Sequence, residues 1–183
     1  VLGGGGFCNW GFDPAHVNCG DGGPAALAPV YNVARMALAP DGTLYFSEFR
    51  KIRRISPNGI VSTVMGAYQS SGFTADGQRA LPGALLCGHP QSLAVTADGT
   101  LLFGEQNKLR SIAPDGTLGT IAGSNPACNS PSTPESGYGG PALQASLAST
   151  AMLAPSQQGE VYMMSAQRIN RVGRPFPGFT ASD

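Results

Sequence analysis

The residues of this chain that could carry out acid–base or metal chemistry are few and widely spaced. It contains two histidines, His16 and His89, and neither has a Cys or His partner at the spacing of a metal site. His89 directly precedes a proline, which places it in a turn at the entry to a strand. We therefore predict that both histidines are packed or exposed turn residues rather than ligands.

Two glutamates, Glu48 and Glu105, could form an acid–base pair. Each lies four residues before an apolar residue of the same repeated segment, so the two occupy equivalent positions. A carboxylate that recurs at the end of a repeated strand is explained more simply as a structural partner of a nearby arginine. We predict that Arg53 and Arg110 are those partners.

Asp21 and Asp76 lie in glycine-rich loops and could in principle bind calcium. Calcium takes six to eight oxygen ligands, and no dense acidic cluster accompanies these two residues. Turn formation is the better explanation of both aspartates. No metal, cofactor or catalytic residue is predicted.

The four cysteines are even in number, which is typical of an oxidising compartment. Cys8 and Cys19 flank one loop and are predicted to form a disulfide, so that Cys87 and Cys128 pair by elimination. Four cysteines allow three pairings, and free structural thiols are the alternative. This pattern favours a secreted or cell-surface protein.

Charge and hydropathy exclude two classes of partner. The 183 residues include 11 basic and 11 acidic side chains, which sum to a formal net charge of zero. Binding to a nucleic acid backbone requires clustered Lys and Arg, so no nucleic acid partner is expected. No stretch reaches the roughly 18 apolar residues of a membrane span, so no membrane insertion is expected.

The elements that position these residues form a repeat, as shown by two recurring segments. The first segment begins at Ala39, Thr96 and Ser156, and the second begins at Lys51, Lys108 and Arg168. With 26 Gly and 15 Pro, the chain also has the turn residues that many short strands need. A fixed period of this length is typical of stacked architectures.

Each copy is predicted to hold four short strands. The first strands lie near residues 34–38, 93–95 and 151–153, and an Asp-Gly or Gln-Gly turn leads to the second strand. The second strands are apolar on both faces, as expected for a sheet between neighbouring sheets. Phe46, Phe103 and Met163 occupy equivalent positions on these strands and are predicted to pack between adjacent blades. In the third strand, Ile52 and Ile55 are expected to point inward and the basic residues between them to solvent.

The repeats predict the organisation of the chain. The predicted segments are a terminal strand of a preceding blade (1–3), a disulfide-closed loop (4–19), blade 1 (20–66), blade 2 (67–123), an incomplete blade 3 (124–172) and an exit segment (173–183). Residues 1–3 match the ends of the fourth strands, whereas the third copy ends after its third strand. Because propellers close with four to eight blades, neighbouring sequence or another chain is expected to cover both ends.

The repeat resembles the NHL family of β-propellers. The motifs that carry this resemblance are Gly20-Asp21-Gly22-Gly23-Pro24-Ala25, Pro40-Asp41-Gly42-Thr43-Leu44-Tyr45 and Ile52-Arg53-Arg54-Ile55, and the match covers residues 20 to about 172. The tail from Arg171 to Phe179 is similar to the exit from an NHL segment in bacterial RHS/YD-repeat proteins, which resemble teneurins. The resemblance implies an all-β propeller segment of about three four-stranded blades, not closed by itself, with an adjoining YD-repeat shell as a candidate partner.

Function is expected to reside in loops that differ between copies, because binding residues often lie on loops held by a rigid frame. Phe7, Trp10 and Phe12 are the candidate partner-binding residues, and the alternative is that they cap the end of the blade stack. The predicted function is a non-enzymatic extracellular module for protein contact, adhesion or scaffolding. The alternatives are a subunit that self-assembles through open blade edges and a propeller enzyme completed by missing blades.

Overall fold

The fold consists almost entirely of short β-strands. The computed structural model describes residues 19–67, 72–124, 134–165 and 168–173. In this part of the chain the strands form three antiparallel sheets, and two short 3₁₀ turns, Ala25–Leu27 and Ala142–Gln144, precede the first and third sheets. We refer to the sheets as blades 1, 2 and 3 in chain order.

The strand bounds are similar in the three blades. Blade 1 contains β1 (Val33–Leu38), β2 (Leu44–Glu48), β3 (Lys51–Ile55) and β4 (Val61–Gly66). Blade 2 contains β5 (Pro90–Val95), β6 (Leu101–Glu105), β7 (Lys108–Ile112) and β8 (Leu118–Ala122). The described part of blade 3 contains β9 (Thr150–Pro155), β10 (Val161–Ser165) and β11 (Arg168–Val172).

Within each blade the strands follow one another as an antiparallel meander. The turn between the first two strands of blade 1 has Gly42 at φ +85°, and the equivalent Gly99 and Gly159 have φ values of +85° and +84°. A positive φ strains most L residues but not glycine, which explains the repeated glycine. The carboxylate of Asp41 accepts a hydrogen bond from the Thr43 N–H at 2.9 Å and closes the turn as predicted.

The blades stack with their first strands side by side, β1 against β5 and β5 against β9. Phe103 is buried in one core cluster with Ile52 and Met65 of blade 1. Met163 is buried in a second cluster with Leu109 of blade 2. The prediction that these two residues pack between adjacent blades is confirmed.

The equivalent residue of blade 1 behaves differently. Phe46 is buried as predicted, but the residues clustered with it are Ala25, Ala28, Ile55 and Val61. All of them belong to blade 1 or to the loop that precedes it. The predicted strand of the preceding blade, residues 1–3, lies outside the described residues, so the packing of Phe46 between two blades stays a prediction.

The third strand also corrects one expectation. Ile52 and Ile55 are buried and Arg54 is exposed, as predicted, but Arg53 has no exposed surface. The solvent-facing position expected for Arg53 is wrong because the loop before β1 folds over this face of the blade. That loop supplies a carboxylate and main-chain carbonyls to the guanidinium group.

Three antiparallel sheets of three or four strands, stacked without closure, confirm the predicted all-β propeller segment. The predicted terminal strand at 1–3 lies outside the described residues, as does nearly all of the loop at 4–19 and of the exit segment at 173–183.

Candidate functional site

The first candidate chemistry concerns the histidines. His16 lies outside the described residues, whereas His89 packs edge-on against Phe49 with ring centroids 4.3 Å apart. Partial burial lowers the pKa of His89, and the nearby Arg50 lowers it further. Across the described part of the chain, no three His, Cys, Asp or Glu residues are grouped closely enough to hold a metal ion.

The glutamate of blade 1 is part of a buried ionic cluster. The Arg53 Nη1 atom lies 3.2 Å from Glu48 Oε1, and its Nη2 atom lies 2.7 Å from Asp21 Oδ1. The guanidinium also donates to the carbonyl oxygens of Cys19 at 2.7 Å and Pro29 at 3.1 Å. We call Arg53, Glu48 and Asp21 ionic cluster 1.

Blade 2 repeats this arrangement. The Arg110 Nη1 atom lies 3.1 Å from Glu105 Oε2, and its Nη2 atom lies 2.9 Å from Asp76 Oδ1 and 2.7 Å from the Thr74 carbonyl oxygen. Burial raises the pKa of Glu105, and the N–H of Cys87 together with the Arg110 charge opposes that increase. We call Arg110, Glu105 and Asp76 ionic cluster 2.

These clusters decide between the two interpretations of the glutamates. Glu48 and Glu105 are fully buried and each binds the arginine five residues further along the chain. The predicted structural role is confirmed. The two aspartates were predicted only to form turns, and this is incomplete because both carboxylates also bind the buried guanidinium groups.

In blade 3, all three positions of the ionic cluster carry other residue types. Its counterparts of Asp21, Glu48 and Arg53 are Tyr138, Ser165 and Asn170. Removing one member of a buried ion pair would leave an uncompensated charge, so joint replacement is expected. Here Arg168 instead lies over the ring of Tyr138, 4.8 Å from its centroid.

The predicted partner-binding residues Phe7, Trp10 and Phe12 lie outside the described part of the chain, as do Cys8 and Cys128. The two remaining cysteines, Cys19 and Cys87, are both buried. The pairing of the four cysteines and the role of the three aromatic residues stay predictions.

Two exposed apolar faces lie at the ends of the stack. Ile52, Leu109 and Ile169 occupy the same strand position, yet their exposures are 0%, 0% and 78%. The difference arises because blades 2 and 3 cover the first two residues. We call Met152, Tyr162 and Ile169, which are all exposed on blade 3, the trailing face.

The opposite end shows the same effect. Leu93 of blade 2 is 8% exposed, whereas its counterpart in blade 1, Met36, is 65% exposed. We call Met36 and Leu38 the leading face. The exposure of apolar faces on the first and last blades was expected from the sequence. The sequence analysis did not predict which residues form these faces, although an alignment of the three repeats could have identified them.

Comparison with known proteins identifies the family of this chain. The family model described as Teneurin NHL domain matches residues 1–174. Teneurin-m of Drosophila melanogaster is 32% identical over 94% of this chain, and Teneurin-3 of Mus musculus is 29% identical over 88%. The chain spans about 6% of the length of each of these relatives.

A solved structure shares the fold. A structural genomics protein of unknown function from Bacteroides thetaiotaomicron aligns with a TM-score of 0.56 and 21% identity. The alignment covers 72% of this chain and 32% of that one. At this level of identity the similarity concerns the fold alone.

Proposed function

Because the chain belongs to the Teneurin NHL domain family, we propose that it is a non-enzymatic extracellular propeller module that contacts other proteins. The contact serves adhesion or the rigid connection of modules in a larger surface protein. The chain spans only a small part of the length of its relatives. In our proposal it is one segment of a longer protein, and a YD-repeat shell adjoins it.

One observation carries the proposal. Arg53 of ionic cluster 1 binds the end of the loop that contains the candidate partner-binding residues, through the Cys19 carbonyl oxygen. It also binds the carboxylate of Asp21, which follows the loop directly. A loop anchored to a rigid blade loses less conformational entropy on binding than a free loop. Phe7, Trp10 and Phe12 are aromatic side chains of the type that dominates many protein interfaces.

The proposed absence of catalysis is supported by the state of the two candidate acids. Glu48 and Glu105 are each bound to a buried arginine, and each also accepts a main-chain N–H hydrogen bond, from Tyr31 and Cys87 respectively. Because their oxygen atoms already bind these structural partners, we propose that the two carboxylates do not act as catalytic acids or bases. Metal-dependent turnover by the purified protein would contradict this part of the proposal.

The extracellular location is supported by the family and by the four cysteines. Among the residues that the structure describes, no helix is long and apolar enough to cross a bilayer. Antibody labelling of the protein on intact producing cells, or its recovery from the culture medium, is expected. Labelling only after lysis would contradict the extracellular assignment.

The binding role is tested with a double variant, Trp10→Ala with Phe12→Ala. We expect weaker binding to an array of purified extracellular domains, which includes a second copy of this module, with an unchanged circular dichroism spectrum. Leu143→Ser is the matched control, because Leu143 is an exposed apolar residue on a different loop. Binding that survives the double variant would contradict the proposed role of this loop.

A second function is favoured by the uncovered end faces. Ile169 and Met36 are exposed at positions that are buried in blade 2. The module is then a structural subunit that assembles through its open blade ends into a ring or a fibre. This candidate predicts association that depends on protein concentration.

A further inference from the structure

A pocket lined by charged side chains lies between blades 1 and 2, apart from both end faces. Its volume is about 260 Å³, and it is bordered by β2 and β3 of blade 1, by the segment that connects the two blades and by the turn between β7 and β8. Three charged side chains and one tyrosine line it, namely Arg54, Arg79, Asp115 and Tyr45. We call these four residues and the cavity that they border the seam pocket.

Blade 1 supplies Tyr45 and Arg54 to the seam pocket. The two residues are paired across β2 and β3, so their side chains lie on the same face of the sheet. Ile52, two positions before Arg54, is buried against blade 2 on that face. The Arg54 side chain is exposed, and its Nε atom donates to the Ser62 hydroxyl at 3.1 Å. Its two Nη groups donate to no atom among the residues that the structure describes.

Arg79 reaches the seam pocket from the segment between the blades. Its guanidinium lies over Gly116, where the Nη2 atom is 3.1 Å from the position that a Cβ atom would occupy. The glycine therefore leaves room for the guanidinium. In the described part of the chain, this guanidinium forms no hydrogen bond and no ion pair. Its N–H groups are available to a ligand.

Asp115 places a carboxylate beside the two guanidinium groups. Hydrogen bonds from Thr117 lower the pKa of Asp115, and the charge of nearby Arg79 lowers it further, so the carboxylate is ionised at neutral pH. A ligand with several negative charges would be repelled by this group. The seam pocket instead suits a ligand that combines one negative charge with hydroxyl groups, because hydroxyl groups can donate to the Asp115 carboxylate.

The next seam shows that the fold does not require these side chains. Blades 2 and 3 pack around a continuous buried cluster in the same way. The equivalent positions of that seam carry no charge: the counterparts of Tyr45, Arg54 and Arg79 are Leu102, Ser111 and Pro141. Packing of the blades therefore does not explain why two arginines and a tyrosine meet at the first seam.

We propose that the seam pocket binds a sugar unit that carries one carboxylate, of the hexuronic acid class. Arg54 and Arg79 bind the carboxylate, because guanidinium groups form strong charge-assisted hydrogen bonds with carboxylate oxygens. Hydroxyl groups of the sugar donate to Asp115, and the apolar ring of Tyr45 contacts C–H groups of the sugar. Sites for drug-sized ligands measure about 300–1,000 Å³, and the smaller seam pocket has the size for a single sugar unit.

The test is an NMR titration of the full chain with methyl β-D-glucuronide. We expect the amide signals of Arg79 and Gly116 to shift. Methyl β-D-glucoside has the same ring without the carboxylate, and its Kd should be about tenfold higher or more, because it loses the charge-assisted bonds.

Two variants introduce the residues found at the next seam. Arg79→Pro and Arg54→Ser should each weaken glucuronide binding by about tenfold or more. Among the described residues the Arg79 N–H donates to no main-chain acceptor, so the proline removes no such bond. Arg171→Ser is the matched control, because Arg171 has the strand position of Arg54 but lies on blade 3. Thermal unfolding reports whether each variant remains folded, and Arg54→Ser decides the test if Arg79→Pro does not fold.

Unshifted signals at millimolar glucuronide would overturn the proposal, as would equal binding of the glucoside or unchanged binding by Arg54→Ser. Sodium acetate that binds as tightly as the glucuronide would overturn the sugar assignment and indicate a simple anion site. An acetylated glutamate amide that does so would also overturn it and indicate an acidic side chain of a partner protein. The titration does not involve Phe7, Trp10 or Phe12, so its outcome is independent of the proposed role of their loop.

Discussion

At the scale of single residues, the two buried arginines are the feature with the largest expected effect. Arg53 brings together residues from the loop before β1 and from β2, and Arg110 does the same in blade 2. Burial of a charge is unfavourable unless partners compensate it, so each cluster acts as a unit. The loop is held to the blade because its carboxylate and carbonyl oxygens complete that unit.

The first prediction compares two neighbouring arginines. Arg53→Ala removes the guanidinium group that binds the buried Glu48 carboxylate and the Asp21 carboxylate, and should lower the free energy of unfolding by about 3–5 kcal/mol. Arg54→Ala is the matched control, because Arg54 is exposed and its removal should change stability by less than about 0.5 kcal/mol. Urea unfolding measures both variants. Equal losses would show that Arg53 does not hold the cluster together.

The second prediction concerns pH. Burial raises the pKa of Glu105 above its ordinary value of 4.5, so the stability that this group contributes is present below pH 4.5 and is lost as pH rises through the folded-state pKa. A hydrogen bond from the Thr96 hydroxyl, supported by bonds from Thr100, lowers the pKa of Asp98 below 3.8, so the stability that Asp98 contributes is present above pH 3.8 and is lost as pH falls.

The stability of the unaltered chain relative to Glu105→Gln should therefore decrease with rising pH, and its stability relative to Asp98→Asn should increase. Thermal unfolding between pH 2.5 and about pH 7 measures both differences. Slopes of the same sign for the two variants would contradict the assignment of the shifts.

The third prediction concerns the cysteines. Cys8 should pair with Cys19 and Cys87 with Cys128, and the first bond should contribute about 3 kcal/mol by restricting the unfolded loop. The burial of Cys19 and Cys87, neither of which is a free thiol, supports the pairing. Peptide mapping without reductant identifies the bonds. A peptide that links Cys8 to any residue other than Cys19 would refute the pairing.

At the scale of the strands, position within the repeat determines which side chain is covered. Ile52 on β3, Leu109 on β7 and Ile169 on β11 have equivalent backbone neighbours. Among the residues that the structure describes, the first two pack against a following blade and Ile169 does not. Local sequence therefore specifies an apolar residue at each site, and the neighbouring blade determines what that residue contributes to stability.

The fourth prediction uses this internal comparison. Leu109→Ala should lower the free energy of unfolding by about 2–5 kcal/mol, because it creates a cavity between blades 2 and 3. Ile169→Ala, at the equivalent exposed position, should lower it by less than about 0.5 kcal/mol. Denaturant unfolding of the two variants under identical conditions provides the comparison. A large loss for Ile169→Ala would show that the trailing face is covered in solution.

At the scale of the whole molecule, the two end faces are the surfaces through which we propose that copies of the chain assemble. Both faces expose apolar side chains, and two of them, Met36 and Ile169, occupy positions that are buried in blade 2. Exposed apolar surface of this kind is typical of a protein contact. A contact between the trailing face of one copy and the leading face of the next joins different surfaces, and such heterologous contacts build rings or fibres.

The fifth prediction is that the isolated chain associates as its concentration rises. Ile169→Asp and Met36→Asp should each weaken this association by about tenfold or more, because each introduces a charge into an apolar contact. Leu81→Asp is the control at an exposed residue outside both faces. Analytical ultracentrifugation over a wide concentration range measures the effect. A stable monomer with cooperative unfolding would contradict assembly through the end faces.

The fold could be predicted from the sequence to a large extent, because the information is local and repeated. The turn glycines, the apolar second strands and the offset between copies predicted four-stranded blades, and the observed strands lie close to the expected positions. The site was predicted less well. Arg53 was placed in solvent because strand alternation says nothing about a loop that returns over the sheet.

The strand pattern, the turns and the repeat follow from the amino-acid sequence alone, since they depend on backbone preferences and on the spacing of apolar residues. Which side chains are buried depends on the tertiary structure. It placed Asp21 on Arg53 across 32 positions of the chain, and it left Ile169 exposed where Ile52 and Leu109 are covered. The physical reason is that desolvation and packing depend on which segments meet in space, and an identical residue type in an identical strand position acquires a different energy when the neighbouring blade is present.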